Sequence, residues 1–358
     1  MSNFSVIFFE ESVGGACQKY RVWIPCIVLA SKGIRVRYSQ KWEPWMLSEF
    51  DLFVFQRCSV REAIDLIYSI RMQGKPVLYD LDDDLIHIPP SNPVYNLYLK
   101  EPKLGWYQLQ SMVEASALTV TTEQLSRVYS GINKTYIIKN YIDIEDHLNI
   151  EPIRLRDDKV FLFWGGSNTH QECLAILQPV LSEVLAKHKE AVLLMMGDEA
   201  ELGLPKDKVI FMPWGKYRFF QSVIRGCDIG LAPLAPNTFN LGKSDLRIQE
   251  LACAKLPMVA SNYGEYGESA IKAGGFVASA SEDWIRILDQ LITDPEERKR
   301  RGQWAWEWAQ SMDIRSNIDK RIEVYEEVLD SAKPPVPFVV RPYTEAPLKF
   351  QCKTKEEV

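Results

Sequence analysis

The chain has 358 residues, 46% of them apolar and 25% charged, with a formal net charge of −6. That length suits two cores and that composition is ordinary for a globular protein, which excludes disordered and fibrous classes. The acidic balance argues against nucleic-acid binding over the whole surface, while a local basic groove stays open.

In chain order, Ser5 to Phe9 is a short continuous apolar run, the pattern of a buried parallel strand. A glycine-containing loop through Gly14 and Gly15 follows, then a helix over 16–31 ended by Gly33. Strands are predicted at 34–38, 51–55 and 76–79, with an amphipathic helix over 60–73. The fourth strand runs into Asp80, Asp82, Asp83 and Asp84, and a proline-rich loop over 88–93 precedes a helical region around 105–117. A strand at 118–121, a helix at 123–130 and a strand at 136–138 complete the alternation of a parallel α/β domain.

The rhythm restarts after a charged, irregular stretch. A strand over 160–163 enters Gly165, Gly166, Ser167 and Thr169, and a helix is predicted over 170–187. Strands at 191–196, 208–212 and 228–232 follow, with a helix at 216–225 between the last two. Beyond them come a loop, helix and strand spanning 240–261, a short strand at 276–278, and helices at 283–293, 295–310 and 316–329. The division expected is an N-terminal domain over 1–143, a linker over 144–158, a C-terminal domain over 159–312, a helix over 313–330 that crosses back, and a proline-rich tail over 331–358. The fold class is α/β, with two Rossmann-like doubly wound domains facing a cleft.

The stretch from Asn240 to Glu250 is the most informative. Ser244 is placed to cap a helix and Asp245 to complement its dipole, with Lys243 beside exposed N–H groups suited to an anion. Glu250 offers a carboxylate for two adjacent hydroxyls. Phosphate at one end and a diol further along describe a nucleotide sugar. The glycine loops at 14–15 and 165–166, the latter with Ser167, read either as tight turns or as places where backbone approaches a phosphate. Arg21 reaches the cleft or pairs with a surface acid. His170 donates to a phosphate or is merely a first-turn residue.

These segments together resemble the GT-B class of glycosyltransferases, specifically its large retaining family of group 1 type. Residues 228–234, 240–250 and 256–261 carry most of the likeness. Further landmarks are Tyr20, Arg21 and Val22 with Pro25, then 79–84, 136–143 and 163–170. The resemblance implies a donor site in the C-terminal domain and an acceptor site in the N-terminal one. It implies Glu250 as ligand of the donor ribose, and Lys243, Ser244 and Asp245 along the diphosphate and sugar. It favours donor contact for Gly14 and Gly15. The family often carries a second Glu eight residues before this one, where this chain has Gly242.

Four carboxylates at Asp80, Asp82, Asp83 and Asp84 contain D-x-D twice. That motif holds a divalent metal in the single-domain GT-A class, which two Rossmann-like halves argue against. At a strand end in the acceptor domain, Asp82 or Asp84 would take or orient the acceptor's proton. His87 is a second candidate base. A loop whose Asp side chains bond local N–H groups is the plain alternative. The basic run Arg298 to Arg301 with Trp304, Trp306 and Trp308 is read as a solvated helix face ahead of a single-stranded nucleic-acid site. Ten tryptophans are read as core and interdomain packing ahead of a stacking surface for carbohydrate or bases.

The expected function is sugar transfer from a nucleoside diphosphate to a hydroxyl acceptor with retention. The acceptor is a glycan, a lipid-linked glycan or a modified DNA base, and a silent nucleotide-sugar binder is the remaining alternative. No cofactor and no divalent metal are expected. Seven scattered cysteines point to reduced thiols in a cytoplasm. The longest apolar run, Trp23 to Ala30, is too short for stable membrane insertion.

Overall fold

The computed structural model describes residues 4–10, 15–199 and 201–332. Gly14 and the tail beyond Ala332 lie outside the described residues. Among the described residues, twelve strands form two six-stranded sheets. The first holds β1 (Ser5–Glu10), β2 (Arg35–Ser39), β3 (Leu52–Gln56), β4 (Val77–Leu81), β5 (Ala117–Val120) and β6 (Thr135–Ile137). The second holds β7 (Val160–Gly166), β8 (Ala191–Gly197), β9 (Val209–Pro213), β10 (Ile229–Ala232), β11 (Met258–Ser261) and β12 (Phe276–Ala278).

All pairings are parallel, so each connection must cross over and helices cover both faces. This is why β1, β3 and β4 are buried along their whole length and read as unbroken apolar runs. The first sheet has the order β2-β1-β3-β4-β5-β6 and the second β12-β11-β10-β7-β8-β9. The first is a flavodoxin-like order and the second the Rossmann order. Their strand order reverses between β1 and β3 and between β7 and β10, where doubly wound sheets open a crevice at the strand carboxyl ends.

Several local expectations are corrected. The helix over 16–31 contains a π-helical segment, Gln18–Trp23, before the α-helix Ile24–Ser31. Pro25 has no N–H for the carbonyl of Arg21, and the turn widens so that Ile24 N–H reaches the Lys19 carbonyl instead. The helix expected over 170–187 is broken into a 3₁₀ turn Asn168–His170 and helices Gln171–Ala175 and Gln178–Lys187. Pro179 cannot donate to the Ala175 carbonyl. Helices Pro93–Lys100 and Gly264–Lys272 go beyond the sequence reading.

One hydrophobic cluster joins the halves, from Val6 and Leu78 of the first sheet to Phe163 of the second and Ile248 of the following helix. The last helix, Ile314–Asp330, returns to the first domain. Asp319 pairs with Lys32 at 3.0 Å, Glu327 pairs with Lys134 at 2.8 Å, and Phe4 meets Tyr325 edge-on. No described helix is long and apolar enough to cross a membrane. The six described cysteines are free thiols.

Candidate functional site

The stretch that the sequence singled out sits where the two domains meet. Its helix runs from Leu246 to Cys253 with Asp245 at the N-cap, one residue later than expected. Ser244 does not cap it, because its hydroxyl accepts from Asn140 Nδ2 at 2.9 Å. The Asp245 side chain is 3% exposed and accepts from Gln249 Nε2 at 2.7 Å and Ser269 Oγ at 2.6 Å. Tertiary partners have displaced the local cap, so Asp245 is an interior residue and not one lining the cleft.

Lys243 projects toward the other domain. Its ammonium lies 2.7 Å from Asp83 Oδ1 and 4.5 Å from the centre of the Phe239 ring. Arg57 shares Asp83, with Nη1 3.2 Å from its Oδ2 and 3.2 Å from Asp82 Oδ1. Burial alone would raise the Asp83 carboxyl, but Lys243 and Arg57 outweigh it and hold the pKa at about 2. Arg57 has a left-handed backbone (φ 51°), unfavourable for a residue with a Cβ, and so marks a place where the surrounding structure fixes the side chain.

Arg247 lies in the first turn of the helix, and Lys243 lies in the loop just before its cap. The Arg247 Nη1 is 2.9 Å from Glu250 Oε2, yet off the hydrogen-bonding angle, so this buried N–H has charge compensation without a directed bond. Glu250 is 7% exposed, and its Oε1 accepts from Tyr20 Oη at 2.9 Å across the domain boundary. Tyr20 in turn lies 3.1 Å from Tyr217 Oη, which lies 2.9 Å from His147 Nε2. The proton count closes if Tyr20 donates to Glu250, Tyr217 to Tyr20, and His147 Nε2–H to Tyr217. That leaves the unpartnered His147 Nδ1 as a bare acceptor. His170 adjoins the same cations. Burial, then Lys243 and Arg247, push its pKa down to about 3, so it is neutral near pH 7.

The aspartates at the end of β4 and just after it separate into different roles. Asp80 is buried and takes the Arg21 guanidinium in a bidentate pair, with Nε at 2.9 Å and Nη2 at 2.5 Å. Arg21 thus lies neither in the cleft nor at the surface. Its Nη1 also bonds the Ile138 carbonyl at 2.6 Å and Asn140 Oδ1 at 3.1 Å. Since Asn140 holds Ser244 and its carbonyl accepts from Gln249, Arg21 reaches the donor stretch through Asn140. Asp84 is wholly buried, accepts backbone N–H from Ile86 and His87, and bonds His87 Nδ1 at 2.8 Å. The His87 side chain is 46% exposed, so this pair presents an oriented imidazole to solvent. The carboxylates do not converge, and among the described residues no group of three or more His, Cys, Asp or Glu could hold a metal ion.

Gly242 explains how closely the domains approach. A Cβ there would lie 2.8 Å from Leu125 Cδ2 and 3.5 Å from Asp84 Cβ, and the Gly242 carbonyl accepts from Thr122 Oγ1 at 3.2 Å. Larger side chains would hold the halves apart. Gly165 and Gly166 end β7 inside the sheet, and a Cβ on Gly166 would lie 2.7 Å from the Trp164 ring. Their smallness serves packing. Ser167 bonds Thr169 Oγ1 at 2.7 Å, ahead of a three-residue turn in place of a long helix. Gly15 is exposed, and a Cβ there would meet nothing within 4 Å.

The structure therefore brings together Lys243, Glu250, Asp82, Asp84 and His87 from the sequence reading. It adds Arg247, Tyr20, Arg57 and Asp83. The spacing of Arg247 and Glu250, three apart on one helix, was a signal for Arg247. Tyr20 entered only as a landmark of the resemblance, and nothing local signalled its partner, which lies 230 positions away. The basic run near the C-terminus is structural: Arg298 caps the carbonyls of Leu291 and Ile292, while Arg300 and Arg301 pair with Glu297.

No family model and no curated protein matches the chain in sequence. Solved structures do match. An alpha-glucosyltransferase solved with UDP-glucose and DNA containing an abasic site superposes with a TM-score of 0.66 at 12% identity, covering 90% of this chain and 98% of that one. HepE of Anabaena, solved with UDP, gives 0.60 at 15% identity over 91% and 100%. Sucrose-phosphate synthase of Thermosynechococcus elongatus gives 0.62 at 12% identity over 92% and 100%. With two Rossmann-like sheets closing on a shared cleft, the chain has the fold of the GT-B glycosyltransferases.

Proposed function

We propose that the protein transfers a sugar from a nucleoside diphosphate to a hydroxyl acceptor, with retention of configuration and without a divalent ion. The observation that carries this is the cluster of Lys243, Arg247 and Glu250, a cation in the loop before one helix and a cation and a carboxylate on that helix, closed against Asp83, Asp84 and His87 of the other domain. The diphosphate takes Lys243 and the undirected N–H of Arg247. The ribose hydroxyls take Glu250 in place of Tyr20. The sugar then lies toward His87, whose Nε2 receives the acceptor proton while Asp84 holds the ring through Nδ1. Asp82 acts through Arg57, and Arg21 through Asn140, as positioning residues. As the bond from the anomeric carbon to phosphate breaks, the new bond to the acceptor oxygen forms on the same face, and the fixed cations stabilise the leaving charge. A cytoplasmic location fits the reduced thiols.

The neighbours solved with UDP and UDP-glucose support a uridine donor. The likeness to the alpha-glucosyltransferase solved with DNA keeps transfer to a modified base as a second reading. Calorimetry with UDP-, GDP-, ADP- and CMP-sugars, with and without chelator, tests the donor. NMR of the product anomer tests retention. Binding that requires a divalent ion and survives Glu250→Ala would overturn the donor assignment.

A further inference from the structure

Beside the carboxyl ends of β1 and β2 lies a cleft of about 550 Å³, within the range of small-molecule sites. Three of its lining aromatics are strongly exposed, Trp23 at 49%, Tyr38 at 44% and Trp45 at 39%. Nearby Trp42, by contrast, packs inward against Phe9 and Phe53. Glu10 also lines the cleft and is 3% exposed. One of its oxygens accepts from Gln18 Nε2, and Oε2 has no partner among the described residues. Its partner across the β1–β3 switch point, Gln56, has an Nε2 in the same condition. A buried acceptor without a partner keeps its desolvation penalty until a ligand or water completes it.

Aromatic faces beside a carboxylate and an amide suit a ring with C–H faces and hydroxyl edges. The charges lining the cleft balance, Arg37 and Lys41 against Glu43 and Glu10, and the Arg37 guanidinium already lies 5.0 Å from the Trp45 ring. Nucleic acid would need a net positive track for its phosphates. We propose that this cleft binds a pyranose ring of a neutral glycan, stacked on Trp23, Tyr38 and Trp45 and hydrogen-bonded through Glu10 and Gln18. Gln18 and Trp23 bound the π-helical segment that carries Tyr20 to Glu250, so the glycan bound here is the acceptor. That last step rests on the transferase reading; glycan binding itself does not.

The test is direct binding, by tryptophan fluorescence and protein-observed NMR, of linear trisaccharides of glucose, mannose, galactose and N-acetylglucosamine. Single- and double-stranded hydroxymethylated DNA serve as comparison. At least one trisaccharide is expected to bind, about tenfold more weakly in Trp23→Ala and in Trp45→Ala. Trp23→Phe should keep most of the binding, and Glu10→Gln should lose several-fold. UDP-sugar affinity should be unchanged in all four variants. Trisaccharide binding that ignores these substitutions, no binding by any trisaccharide, or DNA binding abolished by Trp23→Ala would each overturn the assignment. Trisaccharide binding with no nucleotide-sugar binding would instead uphold the cleft and overturn the transferase reading.

Discussion

The two walls of the cleft are built with opposite charge by different means. On the C-terminal side the cations flank one helix start, Lys243 in the loop before the Asp245 cap and Arg247 in the first turn, with neutral His170 beside them. On the N-terminal side Asp80 lies near the end of β4 and the other carboxylates in the loop after it; Arg21 holds Asp80, Arg57 holds Asp82 and Asp83, and His87 bonds Asp84. The basic wall is a loop and helix start with an N–H that makes no directed bond, whereas the acidic wall is a strand end and loop whose groups are committed. Lys243 needs an anion, and Asp83 supplies it by closing the domains. A diphosphate would compete with Asp83 for the same ammonium.

The largest expected effect is on acid stability, and it bears on the basic wall directly. His147 and His170 are held neutral in the fold. Burial, then Arg225 and Lys19, bring His147 to about 3, and burial, then Lys243 and Arg247, bring His170 to about 3. Below the ordinary value of 6.5 the unfolded chain binds protons that the fold refuses. Stability is therefore retained above 6.5 and lost as pH falls toward 3. The slope approaches about 1.4 kcal/mol per pH unit for each histidine. Melting temperature measured from pH 7 to pH 4 should fall steeply, and less steeply in His147→Gln. A flat profile would mean that neither ring is shielded as described.

Removing both cations, Lys243→Ala with Arg247→Ala, should weaken UDP-sugar binding by at least about a hundredfold, since charge-assisted hydrogen bonds contribute roughly 1.5–3 kcal/mol each. Calorimetry reads this, and an unchanged affinity would place the diphosphate elsewhere. Gly242→Glu should force Leu125 and Asp84 away, at about 1–3 kcal/mol of overpacking. Small-angle scattering should then show a larger radius of gyration. A variant as compact and as stable as the parent would show that contact at Gly242 does not set the closure.

Asp83→Asn sharpens the comparison from the acidic side. Because the pair is partly exposed, it contributes only about 1 kcal/mol or less. Donor affinity should rise up to about fivefold as Lys243 is released, and weaker binding would show that Asp83 helps hold the donor. The smallest effect is expected for Tyr20→Phe, which removes one interdomain hydrogen bond of about 1 kcal/mol. It should lower the melting temperature slightly and tighten UDP-sugar binding two- to three-fold. Weakened donor binding would mean that Tyr20 stays on Glu250 when the ribose arrives.

The tryptophans show how packing redistributes a composition. Trp164 and Trp284 are buried as expected, while Trp23, Trp45, Trp214 and Trp304 are 39–49% exposed. Trp304 nonetheless covers Gly274, where a Cβ would lie 2.7 Å from the indole. Periodicity assigns a ring to a helix or a loop and says nothing of what stands opposite.

By itself the sequence determined the two parallel sheets, because continuous apolar strands punctuated by polar, glycine-bearing loops are buried only when helices cover both faces. It also determined the helix that carries Glu250, with Lys243 in the loop just before it, since a fixed rise and turn place residues on a face. Only the tertiary structure decided which carboxylate meets which cation. Asp80, Asp82, Asp83 and Asp84 are chemically alike and adjacent, and their partners lie at Arg21, Arg57, Lys243 and His87. Ser244 and Asp245 follow the same logic. Their local capping propensity is worth about 1 kcal/mol, and buried partners at Asn140, Gln249 and Ser269 outbid it. Pattern fixes what recurs along the chain, whereas contacts between distant segments depend on how the two sheets close.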